Sequence, residues 1–172
     1  LTLTQQTQTL DVPWSASPEQ ITGDVLVELD QAGNVHWTWS VFDHLDSTEF
    51  PSELSMRQGR DGSTDWTHAN AVVYLPDDTI LVSVRHFNQV WRIDRSTGEF
   101  VWRFGQGGDF TLDTVSDPNA GWFYGQHAPL FTSSGELLIY DNGNFRDGVA
   151  MADMYTRAVR YFVDEDDMTA AQ

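Results

Sequence analysis

The chain of 172 residues has no cysteine and no lysine. Without cysteine there is no disulfide framework, no thiolate zinc site and no thiol nucleophile. Without lysine, nine arginines supply every fixed positive side chain, against 26 Asp and Glu, for a net charge of -17. A surface so acidic repels phosphate backbones and anionic lipid, which argues against nucleic acid and membrane as partners. Apolar runs are short everywhere, and none approaches the roughly 18 to 20 residues of a membrane-spanning helix. Helical periodicity is nearly missing too.

The same charge make-up suits a protein kept soluble at high salt. Self-repulsion between its carboxylates is screened within a Debye length as salt is added. The melting temperature is therefore expected to rise from low to molar salt. A flat or falling melting temperature over that range would remove this account of the acidity. Any site for an anionic substrate must be built from Arg and His alone. The chain starts Leu1-Thr2-Leu3-Thr4, without an initiator Met, a basic region or a signal-peptide core. The expectation is a processed chain or part of a longer polypeptide.

What is present is a series of short alternating segments rich in Val, Ile, Leu, Phe, Tyr and Trp, separated by Asp- and Gly-containing turns. One unit runs Val25–Asp30, turns at residues 31–34 and returns through Val35–Trp39; its copy runs Val90–Asp94, turns at 95–98 and returns through Glu99–Phe104. In each, an Asp ends the first strand, a Gly supplies positive φ in the turn, and a Trp lies on the return strand. A third copy starts at Ala158–Asp164. A second kind of hairpin alternates with the first: His68–Leu75 into Thr79–Arg85, then His127–Phe131 into Glu136–Asn142.

Two kinds of hairpin in fixed order predict an all-β fold, a β-propeller of four-stranded blades. The alternative is an irregular β-sandwich. The units are a partial outer hairpin over 23–40, a blade over 68–104 and a partial blade over 127–168. That is about two and a half blades, so the segment is expected to belong to a larger propeller or to associate with another copy. Insertions at 41–67, 104–126 and 143–156 lengthen the repeat and read as functional loops.

In a blade, the start of the innermost strand and the end of the next strand lie on one face. His68 and His127 both occupy innermost-strand starts; Arg85 and Asn142 both follow the second strand. All four are therefore expected on one face near the central channel. Asn70, two residues after His68, is expected on the same side by strand alternation. Trp122, Phe123 and Tyr124 precede His127 and read as an aromatic wall. Such a site suits a small anion attached to an apolar or aryl group, since Arg offers paired donors to a tetrahedral oxyanion and His a nucleophile or acid. His36 reads as a packing or surface residue, His44 as solvated, and His86 as structural, pointing opposite to Arg85. No HxH or HExxH spacing supports a metal, and no cofactor is expected.

At these residues the chain resembles the bacterial arylsulfotransferase family. The resemblance is carried by Asp65-Trp66-Thr67-His68-Ala69-Asn70, Ser83-Val84-Arg85-His86, Ile93–Glu99 running to Trp102, Gly125-Gln126-His127-Ala128-Pro129 and Leu138–Gly143, with Arg157–Arg160 and Asp164 as a further strand. It implies a six-bladed propeller that moves sulfuryl from an aryl sulfate donor to a phenolic acceptor without a nucleotide donor. It also implies His127 as nucleophile through a sulfohistidine, with His68, Asn70 and Arg85 on the sulfate oxygens. Family members are usually exported, which implies a periplasmic or secreted location. They are longer than this chain, and some carry another active-site histidine upstream. The competing reading is a quinone-binding or non-catalytic propeller, in which the Ile-Asp-x-x-Thr-Gly-x-x-x-Trp pattern of residues 93–102 only docks blades. A metal-dependent, lactonase-like propeller is a third reading, and it wants more channel carboxylates.

Overall fold

The computed structural model describes residues 1–46, 48–51, 57–59, 61–117 and 120–172, so parts of the first two insertions lie outside the described residues. The fold is all-β. Three sheets follow one another along the chain. The first comprises β1 (Thr2–Leu10), β2 (Glu19–Leu29), β3 (Val35–Ser40), β4 (Arg57–Gln58) and β5 (Thr64–Asp65), with a four-residue helix α1 (Val41–His44) after β3. The middle sheet is a simple antiparallel meander of β6 (Ala69–Tyr74), β7 (Thr79–Val84), β8 (Gln89–Asp94) and β9 (Phe100–Gly105). The third comprises β10 (Thr111–Asp113), β11 (His127–Phe131), β12 (Leu137–Asp141), β13 (Arg157–Asp164) and β14 (Thr169–Ala171).

The middle sheet has the order of a propeller blade, and its burial pattern shows that it is covered on both faces. Every residue of β7 is buried. Alternation sends Ile80, Val82 and Val84 into one apolar cluster with Ile21, Leu26, Trp39 and Trp66 from the first sheet and its loop. Leu81 goes the other way, with Val90, Trp102 and Phe104, against Phe123, Leu137, Ile139 and Tyr161 of the third sheet. A strand covered on both sides reads as a continuous β-branched and aliphatic run, which is what Thr79-Ile80-Leu81-Val82-Ser83-Val84 is. The innermost strands β1, β6 and β11 lie side by side along one edge of the stack.

The outer hairpins dock one sheet on the next through their tryptophans. Trp39 Nε1 donates to the carbonyl of Gly98, in the turn of the following hairpin, at 2.8 Å. Gly98 sits at φ +79, and a side chain there would also meet the ring of His44. The third copy differs: Met168 takes the left-handed position in its turn, its carbonyl accepts from Thr111 N at 2.9 Å, and Trp102 Nε1 is buried with no partner among the described residues. The short strand β10 has replaced the tryptophan as the partner of that turn.

The hairpin boundaries follow the repeat, and three features depart from it. β1 is a strand of mostly polar residues, Thr2–Leu10, whose register is set by its nine-residue pairing with β2. The first insertion contains α1, β4 and β5, and β5 pairs parallel to β2. β14 supplies a short return strand after Asp164.

Candidate functional site

His68 is the residue immediately before β6, and His127 is the first residue of β11. Arg85 follows β7, and Asn142 follows β12. The four thus stand at corresponding ends of two neighbouring inner hairpins. Both strand starts contain a non-glycine residue in the left-handed region, His68 at φ +50 and Ala128 at φ +48. Such conformations cost roughly 1 to 3 kcal/mol and persist only where surroundings over-determine them. Here the surroundings are buried polar side chains.

At His68 the clamp is Asp24, a buried carboxylate on β2. Its Oδ2 accepts from Thr67 Oγ1 at 2.5 Å and from Ala69 N at 2.6 Å, holding the residue on each side of the histidine. Burial pushes the Asp24 carboxyl upward, opposed by those same two donors. The His68 carbonyl also accepts from Arg85 N at 3.3 Å, so the two candidate residues share a backbone contact.

At His127 the preceding peptide is pinned from four directions. Gly125 N donates to Asn88 Oδ1 at 2.7 Å, and Gly125 O accepts from Asn142 Nδ2 at 2.7 Å. The Gln126 side chain, fully buried, donates to the carbonyls of Gln89 (2.6 Å) and Val84 (3.2 Å). The Gln126 carbonyl accepts from Asn70 Nδ2 at 2.7 Å and from Ser83 Oγ at 3.3 Å. Asn70 and Asn142 therefore each direct an amide N–H at the backbone that carries His127. Gly125 sits at φ +60, and a side chain there would press on the Asn144 side chain that accepts from Arg85 Nη2 at 3.2 Å.

Several expected placements change. Asn70 does not reach its position by alternation: the pairing of Ala69 with Val84 and Ala71 with Ser83 makes Asn70 the extra residue of a bulge. Bulges re-aim side chains, and this one turns Asn70 toward Gln126. Trp122 and Phe123 do not form a wall on the site. Phe123 is wholly buried, and Trp122 packs with it on Phe104 and Tyr161, because the third sheet needs those rings in its core. Tyr124 alone of the three lines a cavity, of about 340 Å³, together with Phe50, Arg85, His86, Asn144 and Asp147. That cavity touches neither His68 nor His127; it adjoins them through Arg85 and His86. His44 stacks flat on Trp39, with ring centroids 4.6 Å apart, and is not simply solvated. His36 is exposed, as expected.

His86 is the largest change. Residues 85–87 form a 3-10 turn, in which successive side chains are about 120° apart and not 180°. His86 is therefore not opposite Arg85 but turned under His68, with ring centroids 4.8 Å apart and planes 29° apart. Its Nδ1 bonds the Asp65 carbonyl at 2.9 Å, while Nε2 is buried with no partner among the described residues. Burial, resisted by Asp65, lowers its pKa to about 4. His68 Nδ1 in turn meets Asp65 Oδ2 at 2.5 Å. Asp65, His68 and His86 bring their donor atoms within 4.8 Å of one another, a grouping that linear spacing does not announce.

Electrostatically, His127 is held toward its neutral form, first by burial, then by the charge of Arg85 and then by His68. A neutral imidazole has a free lone pair, and the adjoining guanidinium offers forked donors to a tetrahedral anion. The site thus combines an imidazole held toward its neutral form, a guanidinium and a second histidine hydrogen-bonded to a carboxylate.

No curated protein matches the chain. The family model described as Arylsulfotransferase (ASST) matches residues 1–172, the full length. The chain belongs to the arylsulfotransferase family, enzymes that transfer sulfuryl groups.

Proposed function

We propose that the protein transfers sulfuryl from an aryl sulfate to a phenol by a ping-pong route through a sulfohistidine at His127. The observation that carries this reading is the meeting of His127, Arg85 and His68 at matching ends of adjacent inner hairpins, on backbone fixed by Asn70, Gln126 and Asn142. Arg85 grips the sulfate oxygens and offsets charge as the S–O bond breaks. His127 attacks sulfur and releases the first phenol. A second phenol then removes the sulfuryl group, so that one difficult displacement becomes two easier ones. The donor and acceptor are small aromatic molecules, and the working location is outside the cytoplasm.

The test is turnover of 4-nitrophenyl sulfate by the whole protein. Release of 4-nitrophenol should be sustained only when a phenol acceptor is supplied, and without acceptor it should stop after one burst per site. Equal rates with and without acceptor would indicate hydrolysis. No burst would leave the binding propeller as the better reading.

A further inference from the structure

We infer that Asp65 and His68 form an acid–base dyad that exchanges the phenol proton in both halves of the proposed transfer, with Asp65 as the positioning residue. The inference deepens the reading above and rests on it. Its basis is geometric. Asp65 ends β5 in the first sheet, and His68 precedes β6 in the middle sheet, so the pair spans the joint between two sheets. The His68 Nδ1 to Asp65 Oδ2 separation of 2.5 Å is that of a charge-assisted hydrogen bond. The other carboxylate oxygen, Oδ1, is buried and has no hydrogen-bond partner among the described residues, so within them the carboxylate is met by the His68 ring.

Occupation of Nδ1 leaves Nε2 as the nitrogen that meets a phenol oxygen, and the His68 side chain retains 40% exposure, enough to be reached. His86 supports the dyad from below. Its ring stacks on His68, and its Nδ1 holds the Asp65 carbonyl, so the carboxylate, the ring and the floor are tied together.

The same three residues could instead be read as a cation site. Distance decides against it. Two ligands bound at about 2.0 to 2.2 Å around one tetrahedral zinc stand roughly 3.3 Å apart, whereas Nδ1 and Oδ2 are 2.5 Å apart. They are bonded to each other.

The proton bookkeeping closes. In the first half-reaction the donor S–O bond breaks as the N–S bond to His127 forms, and the departing phenolate oxygen takes the Nε2 proton of the His68 imidazolium. In the second, the acceptor phenol gives its proton to Nε2 as its oxygen forms the new S–O bond and the N–S bond breaks. His68 ends as it began, and Asp65 holds Nδ1–H throughout.

The dyad matters most when the leaving phenolate is basic. The experiment compares bursts from phenyl sulfate and 4-nitrophenyl sulfate in the wild-type protein, D65N, H68Q and the double variant. General acid–base help is worth about 10² to 10⁴ in rate. D65N should slow the phenyl sulfate burst at least tenfold more than the 4-nitrophenyl sulfate burst, H68Q should show the same selectivity, and the double variant should be no slower than H68Q. Equal slowing of both donors, or additive losses, would make Asp65 merely structural and overturn the dyad. Should D65N fail to fold, the bond is read in the wild-type protein, as a far-downfield proton resonance that disappears in H68Q; a spectrum without it overturns the pairing. Failure of the sulfohistidine reading itself is separate, because it shows as a missing wild-type burst with 4-nitrophenyl sulfate.

Discussion

Replacing His127 with alanine is expected to abolish both the phenol burst and the covalent adduct. Wild-type protein incubated with an aryl sulfate and no acceptor should gain one sulfuryl group, acid-labile as an N–S bond should be, on the peptide containing Gln126-His127-Ala128. Loss of a covalent nucleophile removes the pathway, whereas loss of acid–base or electrostatic help costs about 10² to 10⁴. The substitution should leave the fold intact. His127 pairs with Tyr140 through its backbone, which alanine retains, and the polar anchors belong to Gly125 and Gln126. Mass spectrometry of the quenched protein decides the matter. An adduct on His68 with His127 unmodified would reverse the assignment.

Replacing Arg85 with lysine should lose most turnover while removing no charge. The Arg85 guanidinium donates to Asn144 through Nη2 and bears electrostatically on His127. A planar fork matches two oxygens of one sulfate with parallel donors. An ammonium is a point charge on a flexible stem and offers no such match. A turnover loss of about 10² to 10³ is expected, the usual scale for removing a donor to a developing negative charge. The backbone contact from Arg85 N to the His68 carbonyl survives the change, so the melting temperature should move little. Near-normal kcat for 4-nitrophenyl sulfate with a phenol acceptor would reduce Arg85 to a structural role.

Much of the site was legible in the repeat. The two inner hairpins are each announced by local features, a β-branched run, a turn with Asp or Gly, and a second run. Aligning them on those turns puts His68 with His127 and Arg85 with Asn142 without reference to any tertiary contact. Turn chemistry and period-two alternation operate over a few residues, and the relation between copies inherits their accuracy.

Alternation fails where the backbone is irregular. Asn70 lies in a bulge, and His86 lies in a 3-10 turn, so both side chains point where a regular strand would not send them. Neither irregularity has a glycine or proline to mark it. Trp122, Phe123 and Tyr124 are three consecutive aromatics with equal claims to a binding wall. Only the core of the third sheet determines that the first two are packed inward and that Tyr124 is left beside Arg85.

The sequence by itself determined the all-β class, the alternation of two hairpin types, the acidic lysine-free surface and the pairing of two histidines at equivalent strand starts. These follow from composition and from short-range stereochemistry. Only the tertiary structure decided which carboxylates contact the candidate residues and their backbone. Asp24 is one acidic residue among 26 with nothing near it in the chain to distinguish it, and Asp65, though it opens the motif that contains His68, carries no local sign that it faces that ring. Asp24 is selected because the packing of the first sheet on the middle one buries it against Thr67 and Ala69, more than forty residues away. Asp65 is selected because the same packing turns it onto His68 and brings the His86 ring up beneath. Burial removes the water that would otherwise satisfy a carboxylate, so each must find its donors across a sheet boundary, and that choice is made by the fold.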